Sequence, residues 1–138
     1  MRKLLLTFAL SLFGVMSFAQ IEGKWKTIDD ETKQAKSIVE IYKKGDQYFG
    51  KISQLLIKPA TPNCTECKDD RKNKPILGME IIRNLKKDGD EFTGGTITDP
   101  KTGKTYKCTI TRSGDNLNVR GYIGLSFIGR SQTWQKVN

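Results

Sequence analysis

Apolar and polar residues alternate in short segments along most of the sequence beyond residue 20. This period of two is typical of a β-strand with one buried face, and no long segment shows the helical period of 3.6 residues. Clusters of Gly, Asp and Pro separate the segments and mark turns. The pattern predicts eight strands, at residues 22–28, 36–43, 47–57, 76–85, 91–98, 105–112, 117–123 and 126–137.

Most of these strands are joined by tight turns, which favours an antiparallel meander. A meander of this kind can close into a barrel and so remove its exposed strand edges. We therefore predict an all-β fold: a single antiparallel eight-stranded up-and-down barrel formed by residues 20–138. Two parts of the sequence depart from this simple meander. The segment 76–85 could also form a short helix, and a long polar loop containing Pro59 and Pro62 precedes it instead of a tight turn.

The N-terminus has the three parts of a secretory signal peptide. Arg2 and Lys3 form a positive head, an uncharged apolar run follows, and Ser17-Phe18-Ala19 puts small residues at the two positions that a signal peptidase reads. The run is too short for a comfortable membrane span, which needs about 20 apolar residues. We predict a signal peptide over residues 1–19 and a soluble exported product, periplasmic or secreted, that begins at Gln20, where a lipoprotein would have Cys.

The charge pattern argues against a nucleic-acid partner. The formal net charge of the sequence is +9, but Lys and Arg are interspersed with acidic residues and Thr in nearly every segment. A nucleic-acid-binding arm would show a run of five or more like charges. We interpret the pattern as a solvated basic surface.

Histidine is absent from the sequence. The chain therefore lacks the commonest general base and the commonest metal ligand, and Ser-His-Asp and Cys-His mechanisms are excluded. The carboxylates lie mostly in or beside turns, where solvation accounts for them. We predict that the protein is not an enzyme and has no catalytic residue, no metal site and no cofactor.

Two of the three cysteines, Cys64 and Cys67, form a C-x-x-C motif in the long loop. A four-ligand zinc site would need another Cys or a His, and the βαβ context of a thioredoxin-like redox motif is missing. A structural disulfide is the natural use of such cysteines after export. We predict a Cys64–Cys67 bond and a buried free thiol at Cys108, with a bond from Cys108 to one loop cysteine as the alternative.

Both tryptophans lie in the terminal strands of the predicted barrel. The first strand opens with Gly23-Lys24-Trp25, and the last contains Arg130 and Trp134. A G-x-W near the start with an Arg near the end resembles the pattern of lipocalins and calycins, in which the Trp plugs the closed end of the barrel and the Arg packs over it. Because the first and last strands must pair to close the sheet, we predict that Trp25 and Arg130 meet at one end of the barrel.

Longer motifs extend this resemblance over essentially the whole chain after residue 20. They are Ile38–Tyr42, Gly50–Ile52, Cys64–Cys67, Lys74–Gly78, Gly94–Pro100, Gly103–Cys108, Arg120–Gly124 and Gly129–Trp134. In this order and spacing they resemble an uncharacterised bacterial family of exported proteins, domain of unknown function 2147. The resemblance implies a lipocalin-like antiparallel barrel and supplies no activity.

Six residues are candidates for binding a ligand or closing the barrel: Trp25, Tyr106, Arg120, Tyr122, Arg130 and Trp134. Alternation predicts that Arg120 and Tyr122 face outward, whereas Arg130 shares a face with Trp134. The two arginines are the candidates for binding an anionic head group. Three glycines of the last hairpin either serve tight turns, which we favour, or let a ligand approach the backbone; these are Gly121, Gly124 and Gly129.

Two functions follow from this fold. The first is binding of a small apolar or amphipathic ligand inside the barrel. The alternative is a structural or interaction protein of the bacterial cell envelope whose barrel is filled by side chains. The volume of the interior separates the two, because a ligand needs an apolar cavity of about 300 Å³ or more.

Overall fold

Eight β-strands make up the regular structure of the described chain. The computed structural model describes residues 20–124 and 129–138. Each strand pairs antiparallel with the next, and pairing of the first with the last closes the sheet. The predicted single antiparallel eight-stranded barrel is therefore confirmed. The strands are β1 (Gly23–Ile28), β2 (Ala35–Lys44), β3 (Gln47–Leu55), β4 (Glu80–Asp88), β5 (Glu91–Thr98), β6 (Thr105–Ser113), β7 (Asn116–Tyr122) and β8 (Gly129–Lys136).

The fourth strand begins later than its alternating sequence predicts. β4 begins at Glu80, after a turn in which Gly78 has a φ of 86°. The Gly78 N–H donates to the Ile52 carbonyl (2.7 Å), and the Ile52 N–H donates to the Met79 carbonyl (2.9 Å). These bonds fix the turn in place of the alternative helix, and they leave Leu77 55% exposed.

Predictions for residues 1–19 and 125–128 lie outside the described residues. They include the signal peptide, its cleavage after Ala19, and the beginning of the last predicted strand at residue 126. In the described part of the chain, no helix has the length and apolarity that crossing a bilayer requires.

The two ends of the barrel differ in their connections. At one end, which we call the closed end, three two-residue turns have glycine at positive φ in their first position: Gly45-Asp46, Gly89-Asp90 and Gly114-Asp115. At the other end, which we call the mouth, the connections 29–34, 56–79 and 99–104 are longer. Since loops carry binding groups on a rigid scaffold, the mouth is the end to examine for a site.

The hydrophobic core fills the half of the barrel nearer the closed end. Inward-facing side chains from every strand are buried there, and the Tyr48 ring meets the Phe92 ring edge-on with centroids 4.9 Å apart. The largest fully buried members within the strands are Trp25, Val39, Ile41, Ile82, Leu85, Phe92, Cys108, Ile110, Leu117 and Trp134. Buried side chains fill this half, as the filled-barrel alternative predicts for the whole interior.

Trp25 closes the barrel together with Arg112. The Trp25 indole N–H donates to the Ile21 carbonyl (2.8 Å), and the Arg112 guanidinium lies 5.3 Å from the centroid of the indole. Arg112 also donates to the Gln20 carbonyl (2.6 Å), which ties the first described residue to the closed end.

The predicted contact between Trp25 and Arg130 is therefore wrong. Trp25 lies opposite Lys136 in the β1–β8 pairing. Arg130 is six residues from Lys136 along β8, which at about 3.3 Å per residue places it roughly 20 Å away, at the mouth. Pairing of the terminal strands was predicted correctly, but the pairing is antiparallel, so the start of β1 lies beside the end of β8 and these two residues are at opposite ends.

The long loop between β3 and β4 is pinned by its disulfide. Cys64 and Cys67 are bonded, as predicted, and Cys108 is a buried free thiol. The tip of the loop packs directly on the β5–β6 turn, because a Cβ atom at Gly103 would come within 1.9 Å of the Glu66 carbonyl oxygen. Two mouth connections are thus held against each other.

A buried arginine anchors the same loop to the outside of the barrel. Arg71 is only 5% exposed. Its guanidinium binds the Asp69 carboxylate through Nε (3.0 Å) and donates through Nη1 to the Glu80 carbonyl (2.9 Å). The Arg71 guanidinium holds the pKa of Asp69 well below its usual range. The bond to the Glu80 carbonyl holds this part of the loop at the start of β4, and the ion pair with Asp69 orients the guanidinium.

Candidate functional site

The half of the barrel nearer the mouth contains a cavity of about 720 Å³. Trp134 and Val119 lie at its inner end, next to the core. Arg130, at the rim, is four residues from Trp134, so the cavity is about 13 Å deep along β8. Apolar side chains from five other strands or connections line the walls, among them Ile52, Leu55, Ile76, Ile81, Ile97 and Tyr106.

Several polar groups inside the cavity are paired within the protein. The Thr27 and Ser37 hydroxyls are 2.9 Å apart, and the Ser37 N–H donates to Thr27 Oγ1 (3.1 Å). The Trp134 indole N–H donates to Gln132 Oε1 (3.0 Å), and the Gln132 side chain lies near enough to Asp30 at the rim to help Arg130 lower the pKa of that carboxyl. The interior therefore offers a ligand mainly apolar contact.

The β1–β2 side of the mouth is neutralised by ion pairs. The Lys36 ammonium, 2.9 Å from the Asp29 carboxylate, holds the pKa of that carboxyl well below its usual range. Arg130 binds the Asp30 carboxylate through Nη2 (2.6 Å) and Nε (3.0 Å), and Nη2 is 3.3 Å from Glu31 Oε1. Arg130 lowers the pKa of Asp30, and Asp30 raises the pKa of Arg130.

Two other cations at the mouth have no carboxylate partner. Lys58, just after β3, and Lys101, in the β5–β6 turn, both line the cavity and are exposed. In the described residues neither ammonium forms an ion pair. Asp99 also lines the cavity, and its Oδ1 accepts the Lys101 backbone N–H (2.9 Å).

The structure brings four of the six predicted site residues to the cavity: Tyr106, Tyr122, Arg130 and Trp134. Trp25 lies in the closed end instead. Arg120 does not line the cavity, because it lies over the Tyr122 ring, 5.9 Å from its centroid. Tyr122, predicted to face outward, contributes to the rim, and Arg130 is 58% exposed there rather than partly buried.

The three glycines of the last hairpin differ in what they do. Gly124 has a φ of 67°, and a Cβ at Gly129 would come within 2.3 Å of the Gly121 carbonyl oxygen, so both positions need glycine for backbone geometry. Gly121 is different, because a Cβ there would make only ordinary contacts with Tyr106 (3.4 Å) and Ile97 (3.5 Å). Its missing side chain leaves space in the cavity.

The residues that the sequence did not single out are Lys58, Lys101 and Gln132. Lys58 and Lys101 lie in connections between strands. The sequence has 24 basic residues, and no pattern in a connection distinguishes these two lysines from the others. Gln132 shares the inward face of β8 with Trp134, which is a signal that alternation could have provided. Among the described residues, no group of three or more Cys, Asp or Glu side chains could hold a metal ion.

The family described as "Uncharacterized protein conserved in bacteria (DUF2147)" matches residues 23–136. Among solved structures, the chain is similar to protein HP1028 from Helicobacter pylori, which is described as belonging to the lipocalin family. That similarity has a TM-score of 0.76 at 15% sequence identity and covers 87% of this chain and 84% of that one, so it concerns the fold alone. No functionally curated protein matches the sequence.

Proposed function

The chain belongs to the bacterial family DUF2147, and we propose that this member binds one small apolar or amphipathic molecule in the cavity at the mouth of its barrel. The observation that supports this is the cavity itself. Its volume of about 720 Å³ lies within the range of about 300–1,000 Å³ typical of small-molecule sites. A barrel that served only as a scaffold would be expected to be filled at both ends.

The lining supports an apolar body for the ligand. Ile52, Ile97 and Val119 face the cavity, and the Trp134 indole N–H is already bonded to Gln132. A ligand group buried beside these residues would find few free hydrogen-bond partners. Burial of a polar group without a partner is costly, so an apolar chain or ring is the favoured occupant.

Gly121 provides the direct test. Leucine at this position would project into the cavity, and its Cβ would be tolerated by Tyr106 and Ile97. The matched control is Asn118→Leu, which adds the same side chain to an exposed position of the same strand. Binding is measured by fluorescence titration with N-phenyl-1-naphthylamine, an uncharged apolar probe.

We expect the wild-type protein and Asn118→Leu to bind one equivalent of the probe with similar affinity. Gly121→Leu should bind at least about tenfold more weakly while remaining folded by circular dichroism, because the new side chain occupies the site. Equal binding by all three proteins would show that the probe binds elsewhere. Failure of the wild type to bind would favour the alternative, a structural or interaction protein of the cell envelope.

The same proposal makes the protein a binder rather than an enzyme. Its cavity carboxylates are engaged: Asp29 is paired with Lys36, and Asp99 accepts a backbone N–H in its own turn. The lowered pKa of Asp29 keeps it ionised at neutral pH, which does not suit a general acid. Recovery of the unchanged ligand after incubation with the protein, by mass spectrometry, would test this.

Export is part of the proposal as well. It is supported by the leader pattern of residues 1–19 and by the Cys64–Cys67 disulfide, a bond that persists in oxidising compartments. We expect the exported form to begin at Gln20. N-terminal sequencing of protein recovered from the periplasm or the medium of its host decides this, and an intact Met1 would contradict it.

A further inference from the structure

We propose that the ligand has an anionic head group, which Lys58 and Lys101 bind at the mouth while its apolar chain occupies the cavity. This inference rests on the proposed function, since it names the chemical class of molecule for the same site. It also places the head-group site away from Arg120 and Arg130, the two candidates for that role in the sequence.

The arginines are unavailable because each already has a partner. Arg130 makes two hydrogen bonds to the Asp30 carboxylate and lies near Glu31, so an incoming anion would have to compete with two carboxylates. Arg120 is engaged with the Tyr122 ring and does not face the cavity. Lys36, another cation at the mouth, is paired with Asp29.

Two lysines at the mouth lack such partners. Lys58 and Lys101 line the same cavity from two connections that pack together through Gly103 and the Glu66 backbone. Neither ammonium has a carboxylate partner in the described part of the chain. The mouth therefore combines cations that are already paired, Lys36 and Arg130, with two that are free to bind an anion.

Asp99 is the group that opposes this anion site. Its carboxylate lines the cavity beside Lys101, and one of its oxygens caps the turn by accepting the Lys101 N–H. Asparagine would keep an acceptor for that N–H while removing the negative charge. Asp99→Asn is thus expected to strengthen binding of an anion. The proposal can therefore be tested by a gain of affinity in this variant as well as by a loss of affinity in a lysine variant.

Two single-chain probes of equal length separate the head group from the chain. Dodecanoate and dodecan-1-ol are titrated below their aggregation concentrations at pH 8, by displacement of N-phenyl-1-naphthylamine. The variants are Lys58→Gln/Lys101→Gln and Asp99→Asn. The control is Lys86→Gln/Lys136→Gln, which removes the same charge from exposed positions toward the closed end. Dodecyl phosphate shows whether the site prefers a carboxylate or a phosphate.

We expect dodecanoate to bind wild type about tenfold more tightly than dodecanol. Lys58→Gln/Lys101→Gln should lose most of this preference with unchanged dodecanol affinity, the control should keep it, and Asp99→Asn should increase it about two- to fivefold. Salt at 0.4 M should weaken the binding of dodecanoate and leave the binding of dodecanol unchanged.

Equal affinity for dodecanoate and dodecanol, or a preference that survives in Lys58→Gln/Lys101→Gln, would overturn the head-group assignment while leaving the cavity proposal intact. Failure of the uncharged probe to bind at all, or its insensitivity to Gly121→Leu, would instead remove the proposed function. The two failures are therefore distinguishable. If dodecyl phosphate binds more tightly than dodecanoate, and Lys58→Gln/Lys101→Gln abolishes that difference, the anion site is supported. The preferred head group is then a phosphate.

Discussion

Arg112 lies over the indole of Trp25, 5.3 Å from its centroid, at the end of the barrel farthest from the cavity. The indole is 1% exposed, and its N–H is satisfied by the Ile21 carbonyl. The guanidinium in turn donates to Gln20 and Gly114. One arginine thus covers the plug of the barrel and fixes the segment that leads into β1.

Truncation of this pair should weaken the fold strongly. Trp25→Ala removes a buried indole, which typically costs about 3–5 kcal/mol of unfolding free energy. Arg112→Ala should cost about 1–2 kcal/mol, from the lost cation–π contact and hydrogen bonds. Urea denaturation of both single variants and the double variant gives the coupling energy, expected at roughly 0.5–2 kcal/mol.

Arg130→Ala is the control for this cycle. Arg130 is exposed and its ion pairs lie at the mouth, so its removal should change the unfolding free energy by less than about 1 kcal/mol and show no coupling to Trp25. Strict additivity between Trp25 and Arg112, or coupling between Trp25 and Arg130, would contradict the arrangement described here.

Arg71 should control how firmly the long loop is held. Arg71→Met leaves the Glu80 carbonyl without its guanidinium donor and the Asp69 carboxylate with only the backbone N–H of residue 71, which we expect to cost about 1–3 kcal/mol. The loop should then be cleaved faster by thermolysin under native conditions, because it opens locally more often. Lys72→Met, an exposed neighbour, is the control. Equal cleavage rates in the two variants would show that Arg71 does not anchor the loop.

Cys108 should be unreactive in the folded protein. Burial raises the pKa of its thiol to about 12, so almost no thiolate exists at pH 8. Ellman's reagent should detect no thiol in the native protein, one per chain after unfolding without reductant, and three after reduction, since Cys64 and Cys67 are bonded. Fast labelling of the native protein, or no thiol after unfolding, would contradict this assignment.

Burial of the Cys108 thiol also predicts how the free energy of unfolding changes with pH. Above the ordinary thiol pKa of 9.0, the unfolded chain loses a proton that the folded chain keeps until about pH 12. The free energy of unfolding should therefore fall as the pH rises from 9 toward 12. Cys108→Ala should show a shallower fall than the wild type when urea midpoints are compared over pH 8–11. Identical slopes would show that the thiol does not contribute.

The alternation of residues was enough to predict the closed barrel and the order of its strands, and the C-x-x-C motif was enough to predict the loop disulfide. The misplaced contact between Trp25 and Arg130 could also have been avoided, because in an antiparallel meander of eight strands the start of the first strand lies beside the end of the last. Trp25 faces Lys136 and not Arg130 for this reason. Lys58 and Lys101 could not be predicted, since the absence of a carboxylate partner is a property of the folded rim.

Gln132 lies between Trp134 and the rim of the cavity. Its amide oxygen accepts the Trp134 indole N–H (3.0 Å), and its side chain is near enough to Asp30 to help Arg130 lower the pKa of that carboxyl. A carboxylate in its place would still accept the indole N–H but would carry a negative charge. Gln132→Glu should therefore keep the bond to Trp134 and place a second negative charge beside Asp30.

Gln132→Leu should instead leave the Trp134 N–H without a partner, at a cost of about 1–3 kcal/mol in unfolding free energy. The two variants are separated by pH. The deficit of Gln132→Glu should shrink as the pH falls toward 4 and the glutamate becomes protonated, while that of Gln132→Leu should stay constant, since no charge is involved. Urea midpoints at pH 4.5 and 7.5, followed by tryptophan emission, measure both. A constant deficit for Gln132→Glu would show that a charge at position 132 does not interact with Asp30.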